Sequence, residues 1–271
     1  MRILPKKSLG QNFLIDQNIR NKIVASLELK KDDVVLEIGS GKGELTQAIA
    51  QQVSKVFGLE IDRRLYSLLV QKFTGPGKKV EIINQDILKL EIAKFLKENK
   101  IKGRIKVFGN IPYYISSPII EHLLKFRDRI EAIFITVQKE FAARVAAAPG
   151  SKAYGSFSCF TQYYACPRVI FNISRNCFKP APKADSSFLE LKIREEPAVQ
   201  VKDEELFFKI IRGAFNQRRK TLRNSLEGIV SEETLNVFFN ESGLDRGIRP
   251  EDLKLQDFAF LSNLQYLLKN T

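Results

Sequence analysis

This chain of 271 residues has one histidine and three cysteines, and that scarcity closes off several chemistries. Cys159, Cys166 and Cys177 are odd in number and lack C-x-x-C spacing, and His122 is their only potential nitrogen partner. Neither a disulfide framework nor a zinc site is expected, and no metal is assigned. A Ser-His-Asp or Cys-His mechanism is disfavoured too, because His122 falls in a predicted helix, Pro118 to Phe126, with no marked nucleophile beside it. Long apolar runs are also missing: none approaches the roughly 20 residues of a membrane span. The opening segment, Met1 to Lys7, is basic and has no apolar signal-peptide core, so the expected compartment is the cytoplasm, with no membrane partner. There is no internal repeat or low-complexity tract.

Positive charge, by contrast, is abundant. The net charge is +13 with a pI near 9.6, which points to a polyanionic partner. Residues 198–271 carry 11 basic and 11 acidic side chains, so the whole excess lies in residues 1–197. With 44% hydrophobic residues the chain can bury a substantial core as one large domain or as a main domain with a smaller companion.

The most informative stretch is Asp33-Val-Val-Leu-Glu-Ile-Gly-Ser-Gly-Lys-Gly43. It reads as a short buried strand, Val34 to Ile38, running into a glycine-rich turn that opens a helix at Glu44. Gly39, Gly41 and Gly43 permit a tight turn and close approach of a ligand to the backbone, at the carboxyl end of a strand where α/β sheets bind cofactors. The spacing is G-x-G-x-G, not the dinucleotide G-x-G-x-x-G, and Glu37 lies two residues upstream. A carboxylate there disfavours a pyrophosphate. It favours S-adenosylmethionine (SAM), which carries an ammonium and a sulfonium and no phosphate.

Two more acids fall at predicted strand ends. The strand Ser54 to Leu59 delivers Glu60, seventeen positions beyond Gly43, where a ribose-binding carboxylate belongs; capping of the helix from about Asp62 to Phe73 is the plainer alternative. The strand Val80 to Ile83 delivers Asp86, which either accepts an adenine amine or caps a helix starting at Leu88. A fourth strand, Arg104 to Gly109, ends in Asn110-Ile-Pro-Tyr-Tyr114. Pro112 fixes its own φ and holds Ile111 extended, so the Asn110 amide and nearby carbonyls are rigidly placed. Such a group suits an amine on an aromatic base: the amide oxygen and a carbonyl accept its N–H bonds while the flat ring of Tyr113 stacks on the base. A fifth strand, Glu131 to Val137, is almost continuously apolar, as a buried parallel strand should be.

Elsewhere the residues leave alternatives open. Gln11-Asn-Phe-Leu14, ahead of a helix capped by Asp16, either folds over a ligand or packs as a simple arm. Phe178, on the stiff loop Asn176-Cys-Phe-Lys-Pro-Ala-Pro-Lys183, is either a presented aromatic or a core residue. After a helix over Ser156 to Tyr164 and strands over 168–173 and 187–193, the charged segment Glu195 to Glu205 places a domain boundary near residue 196. Residues 197–271 then read as all-helical. Arg218, Arg219, Lys220 and Arg223 put four cations within six residues, fitting either phosphate contacts or a solvated helix face.

Together these motifs resemble those of the ribosomal RNA adenine dimethyltransferases of the KsgA type and, less closely, the erythromycin-resistance rRNA methylases, over nearly the whole chain. Gln11-Asn-Phe-Leu14 is similar to the family's N-terminal cofactor motif, Glu37 to Thr46 to its SAM loop, and Asn110-Ile-Pro-Tyr113 to the catalytic motif of N6-adenine methylases. The resemblance implies a Rossmann-like SAM-dependent methyltransferase fold, with a mostly parallel sheet and helices on both faces, over residues 1–196, and a small helical domain over 197–271. It implies SAM contacts at Asn12, Leu14, Gly39, Glu60, Asp86 and Asn110, beside Gln11, Glu37, Gly41 and Gly43 from the turn and arm. It sets Tyr113 and Phe178 about the target base.

The implied reaction is dimethylation of N6 on two adjacent adenines near the 3′ end of small-subunit rRNA, by a monomer acting on a partly assembled ribosomal subunit. Ile111 departs from the leucine more usual in that branch and matches the resistance methylases. The competing readings are a large-subunit rRNA methylase of the resistance type and a non-enzymatic RNA-binding protein on the same fold. An intact Asn110-Ile-Pro-Tyr113 argues against the second.

Overall fold

The computed structural model describes residues 5, 6, 9–75, 79–217 and 220–269. Its chain divides into two compact units, residues 1–142 with 168–193 and residues 143–167 with 194–271. The second unit therefore takes in a stretch around the helix Ser156–Tyr164 as well as the C-terminal residues.

A seven-stranded sheet is the frame of the first unit. Its strands are β2 (Val34–Ile38), β3 (Lys55–Leu59), β4 (Val80–Ile83), β5 (Ile105–Asn110), β6 (Ile130–Gln138), β7 (Ala165–Ile173) and β9 (Ser186–Ile193), in the order β4-β3-β2-β5-β6-β9-β7. The first five are mutually parallel, while β9 runs antiparallel to β6. Strand order reverses at β2, which has β3 on one side and β5 on the other, so a crevice opens at the carboxyl ends of β2 and β5. A separate two-residue pairing joins β1 (Phe13–Leu14) to β8 (Phe178–Lys179), with Leu14 opposite Phe178.

Burial explains why the central strands read as apolar runs. Val35, Val56, Phe108, Phe134 and Phe188 share one face of the sheet with Ile23 and Val24 of α1 (Gln17–Ser26), its C-cap Leu27, and Ile49 of α2 (Glu44–Ala50). On the opposite face, Phe57 of β3 meets Phe95 of α4 (Ile92–Glu98) edge to face at 4.9 Å. Helices thus cover both faces, as parallel strands require. Asp16 caps α1 by accepting the Ile19 N–H at 3.0 Å. Asp62 caps α3 (Arg63–Lys72).

The helix expected from Leu88 is instead a single 3-10 turn, Ile87–Lys89, before α4. That expected from Pro118 begins earlier, as α5 (Ser116–Leu124), because a proline in the first turn lacks only an N–H that has no helical partner there. His122 lies on α5, half-buried, with Nε2 3.0 Å from the Leu90 carbonyl.

The second unit contains α7 (Ser156–Tyr164), α8 (Glu204–Phe215), α9 (Leu222–Ser225), α10 (Glu232–Ser242) and α11 (Leu255–Lys269), with α6 (Lys139–Val145) spanning the division between units. An aromatic cluster of Phe160, Tyr163, Tyr164, Phe207 and Phe208 locks α7 to α8. Among the described residues, no helix is long and apolar enough to cross a membrane.

Candidate functional site

A cavity of about 260 Å³ opens at the carboxyl ends of β2, β3, β4 and β5, entirely within the first unit. Its floor is the loop from Gly39 to Lys42. The loop is stitched to β3 by the Gly39 and Ser40 N–H groups, which donate to the Leu59 carbonyl at 2.8 and 3.2 Å. Gly39 and Gly41 hold φ of +76° and +58°, and among the described residues, chain neighbours aside, only the Asn110 carbonyl oxygen comes within 4 Å of where a Cβ on Gly39 would sit. The backbone there is open to a ligand.

Of the four acids that line the cavity among the described residues, Glu37, Glu60 and Asp86 lie at or just past the carboxyl ends of β2, β3 and β4, and Glu44 opens α2. Glu37 is buried beneath the loop, 2% exposed, and accepts hydrogen bonds from the Ser40 and Thr46 hydroxyls. Burial pushes its carboxyl up to about 7, although both hydroxyls act against that shift. Glu60 spends one oxygen on the Gly41 N–H and the other on the Asp62 N–H, each at 2.9 Å. Burial raises its pKa, and those backbone donors counter the rise. Each oxygen keeps a lone pair for a further donor. Asp86 caps the 3-10 turn through one oxygen, Oδ1, which accepts the Leu88 N–H at 3.0 Å. The helix-capping role and the position on the cavity wall therefore hold together.

Asn110 ends β5 on the rim. Its Nδ2 donates to the Asn12 carbonyl at 3.2 Å, so the donor end of the amide is anchored and the acceptor end is the one left for a ligand. The anchor belongs to the N-terminal arm, whose two readings also prove compatible. The arm packs on the domain through the β1–β8 pairing, and residues Leu9 to Leu14 line the cavity. A buried carboxylate at the N-terminal cap of α3, Asp62, fastens it. Asp62 receives Gln11 Nε2 at 3.3 Å and Lys6 Nζ at 3.4 Å, and is gripped by Arg64, which holds its carboxyl well below the usual carboxylate range.

Pro112 and Tyr113 follow on the rim, with Tyr113 opening a single 3-10 turn. The Tyr113 hydroxyl bonds to that of Ser186, which is fully buried at the start of β9. The hydroxyl thus has a use that an argument from the flat ring alone omitted. Burial raises its pKa.

Of the predicted site residues, Gln11, Asn12, Leu14, Glu37, Gly39, Gly41, Glu60, Asp86, Asn110, Pro112 and Tyr113 all come together on this cavity. Gly43 does not line it. A Cβ on Gly43 would lie 2.7 Å from Leu69 and 2.9 Å from Phe73, so the third glycine, at φ +75°, seats the start of α2 against α3. Phe178 does not line the cavity either: it is 3% exposed and packs in the core beside Leu14. A phenylalanine on a proline-stiffened loop reads alike in either place, and its burial beside Leu14 is the packing alternative.

The predicted basic cluster is only partly described. Arg218 and Arg219 lie outside the described residues, Lys220 is exposed, and Arg223 is ion-paired to Glu232. Sequence reading missed Asp62, Thr46, Ser186 and the apolar pair Ile61 and Leu88, which are 51% and 36% exposed on the cavity wall. Ile61 and Leu88 directly follow or closely trail the strand-end acids, and that position was the available signal.

Comparison with known proteins gives a consistent result. A family model described as ribosomal RNA adenine dimethylase matches residues 4–265. A ribosomal RNA small subunit methyltransferase A from Lachnoclostridium phytofermentans is 43% identical over 97% of this chain and 92% of its own length. The protein of the same name from Caldanaerobacter subterraneus is 41% identical over 97% and 98%. Among solved structures, the 23S rRNA methyltransferase ErmE aligns with a TM-score of 0.74 at 25% identity, over 94% of this chain and all of that one. A dimethyladenosine transferase from Plasmodium falciparum aligns at 0.75 and 24%, over 92% and 95%, and shows the shared fold.

Proposed function

The chain belongs to the ribosomal RNA adenine dimethylase family, and on that premise we propose that it dimethylates N6 of two adjacent adenines near the 3′ end of small-subunit rRNA. It is a SAM-dependent methyltransferase whose substrate is rRNA. The cavity suits SAM by its donor set: open backbone at Gly39, lone pairs remaining on Glu60, and the Asp86 carboxylate on the wall. Glu60 would hold the ribose, Asp86 with Ile61 and Leu88 the adenine, and Asn12, Leu14 and the loop the remainder. Bound SAM supplies an electrophilic methyl group on a sulfonium.

The observation that carries the reading is the fixed Asn110 amide. With Nδ2 tied to the Asn12 carbonyl, Oδ1 is presented to accept an N–H of the target amine. We assign the second acceptor to the carbonyl of Ile111, the residue between Asn110 and Pro112; the Pro112 carbonyl already accepts one N–H, from Ile115 at 3.3 Å. Two acceptors on the amine draw its nitrogen toward tetrahedral geometry and free its lone pair, and Tyr113 supplies the stacking face. The amine releases its proton after attack, so no strong base is required.

We assign catalysis to residues 1–196 and rRNA contacts, including Lys220 and Arg223, to residues 197–271. We further assign a monomeric state, a partly assembled small subunit as substrate and a cytoplasmic setting. The test is incubation with labelled SAM and unmethylated ribosomal subunits, mapping label by nucleotide. Dimethyl label on two neighbouring small-subunit adenines is expected. Label on large-subunit rRNA would favour the ErmE-like activity, and absence of label the non-enzymatic reading.

A further inference from the structure

Tyr114 has no part in the chemistry above, yet at 65% it is the most exposed large hydrophobic side chain among the described residues. It sits one position after Tyr113 in the same 3-10 turn and lines the cavity mouth. Nothing among the described residues hydrogen-bonds its hydroxyl, so no polar contact accounts for its outward position. The ring is nevertheless held along one edge. A Cβ on Gly10 would lie 3.1 Å from Tyr114 Cε1 and 3.2 Å from Pro112 Cβ, so the arm backbone presses against the tyrosine where only a glycine, at φ +59°, fits.

A large aromatic ring kept in water, braced at one edge and set beside the mouth of a base-binding site, has the form of a stacking platform. We propose that Tyr114 is a positioning residue that stacks on the nucleobase adjacent to the target adenine. This rests on the reading that the substrate holds two neighbouring adenines. While Tyr113 faces the adenine in the site, its neighbour remains at the mouth, one nucleotide away along the backbone. The platform then holds whichever adenine is waiting, and the two exchange places between rounds. Stacking is indifferent to whether that base is already methylated, because every base presents a flat face.

The test uses the full-length enzyme and small subunits assembled with rRNA in two forms, one natural and one with an abasic site in place of the neighbouring adenine. Single-turnover methylation of the remaining adenine is measured against subunit concentration. On natural rRNA, Tyr114→Ala should raise the half-saturating subunit concentration roughly tenfold, the scale of one base–aromatic stack, whereas Tyr114→Phe should stay near wild type. On abasic rRNA, wild type and Tyr114→Ala should converge. SAM affinity by calorimetry and the slope of binding against salt should be unchanged in both variants, which separates stacking from a cofactor or phosphate contact. Equal loss on both rRNAs, no loss on either, or weakened SAM binding would overturn the proposal. Failure of the wild-type enzyme to methylate natural subunits would instead overturn the reading beneath it, and the proposal with it.

Discussion

Strand β5 carries two polar side chains on one face, four residues apart, and they have opposite fates. Lys106, 5% exposed at the amino end, donates to the Glu28 carbonyl at 2.6 Å and to Asp33 at 2.9 Å, with Glu131 at 4.0 Å. Its charge is met within the protein, and it fastens β5 to the turn before β2. Asn110, at the carboxyl end, commits only its donor end, to Asn12, and keeps its acceptor toward a cavity. What separates scaffold from site on this strand is therefore hydrogen-bonding capacity left over, not the mere presence of a polar group. The same distinction divides Asp62, whose two oxygens are taken up by Arg64, Gln11 and Lys6, from Glu60, whose oxygens each hold one backbone N–H.

The comparison breaks most visibly if the scaffold lysine is removed. Lys106→Met leaves the Asp33 carboxylate and the Glu28 carbonyl without their shared donor, so it should cost about 3 kcal/mol of stability, the lower part of the range for breaking a buried pair. The check is a lowered Tm with the methylation rate per folded molecule unchanged; a specific loss of rate would move Lys106 into the site. Next in size, Glu60→Ala should weaken SAM binding by about 1–3 kcal/mol, as loss of a charged acceptor does. Calorimetry showing wild-type affinity would remove Glu60 from cofactor binding.

Glu37 gives an effect of definite sign that is read as a dependence on pH. Its carboxyl ionises near 7 in the folded chain against an ordinary value of 4.5. Between those values the folded state keeps a proton that the unfolded state has released. Its contribution to stability is therefore complete below about pH 4.5, is lost as pH rises through 7, and is flat above. Glu37→Gln keeps an acceptor for Ser40 and Thr46 and should cancel that slope. Subtracting its Tm-against-pH curve from that of wild type should leave a fall confined to this window, and parallel curves would contradict the assignment. Smallest of all, Tyr113→Phe removes the bond to Ser186 and should lower stability by about 1 kcal/mol while methylation changes little, since the ring remains. A large rate loss would give the hydroxyl a part in the reaction.

Much of this frame was legible beforehand because buried parallel strands are apolar runs and their ends are marked by Gly39, Glu60, Asp86 and Asn110. Local signals sufficed there. They failed wherever a residue's role depends on a partner distant in sequence. The pairing of Leu14 with Phe178 has no periodicity to betray it, and with it went the burial of Phe178. Gly43 looked like its two neighbours, but its role is set by Leu69 on α3 and Phe73 at its C-terminal cap. Glu60 was weighed as the cap of the helix after β3, but Asp62 is that cap; its hold on Gln11 and Lys6 needed the arm to fold back. The basic run near residue 220 was plain in the sequence, but the ion pair of Arg223 with Glu232 on α10 was not.

The central claim is that the anchored Asn110 amide presents its oxygen to the target amine. It is tested most directly by single-turnover methylation of unmethylated small subunits by Asn110→Ala at saturating SAM, with a thermal melt to confirm folding. Because the lost interaction strengthens only as the nitrogen becomes tetrahedral, the rate constant should fall by about 10²-fold or more with subunit affinity nearly unchanged. A folded Asn110→Ala protein that methylates at close to the wild-type rate would contradict the account.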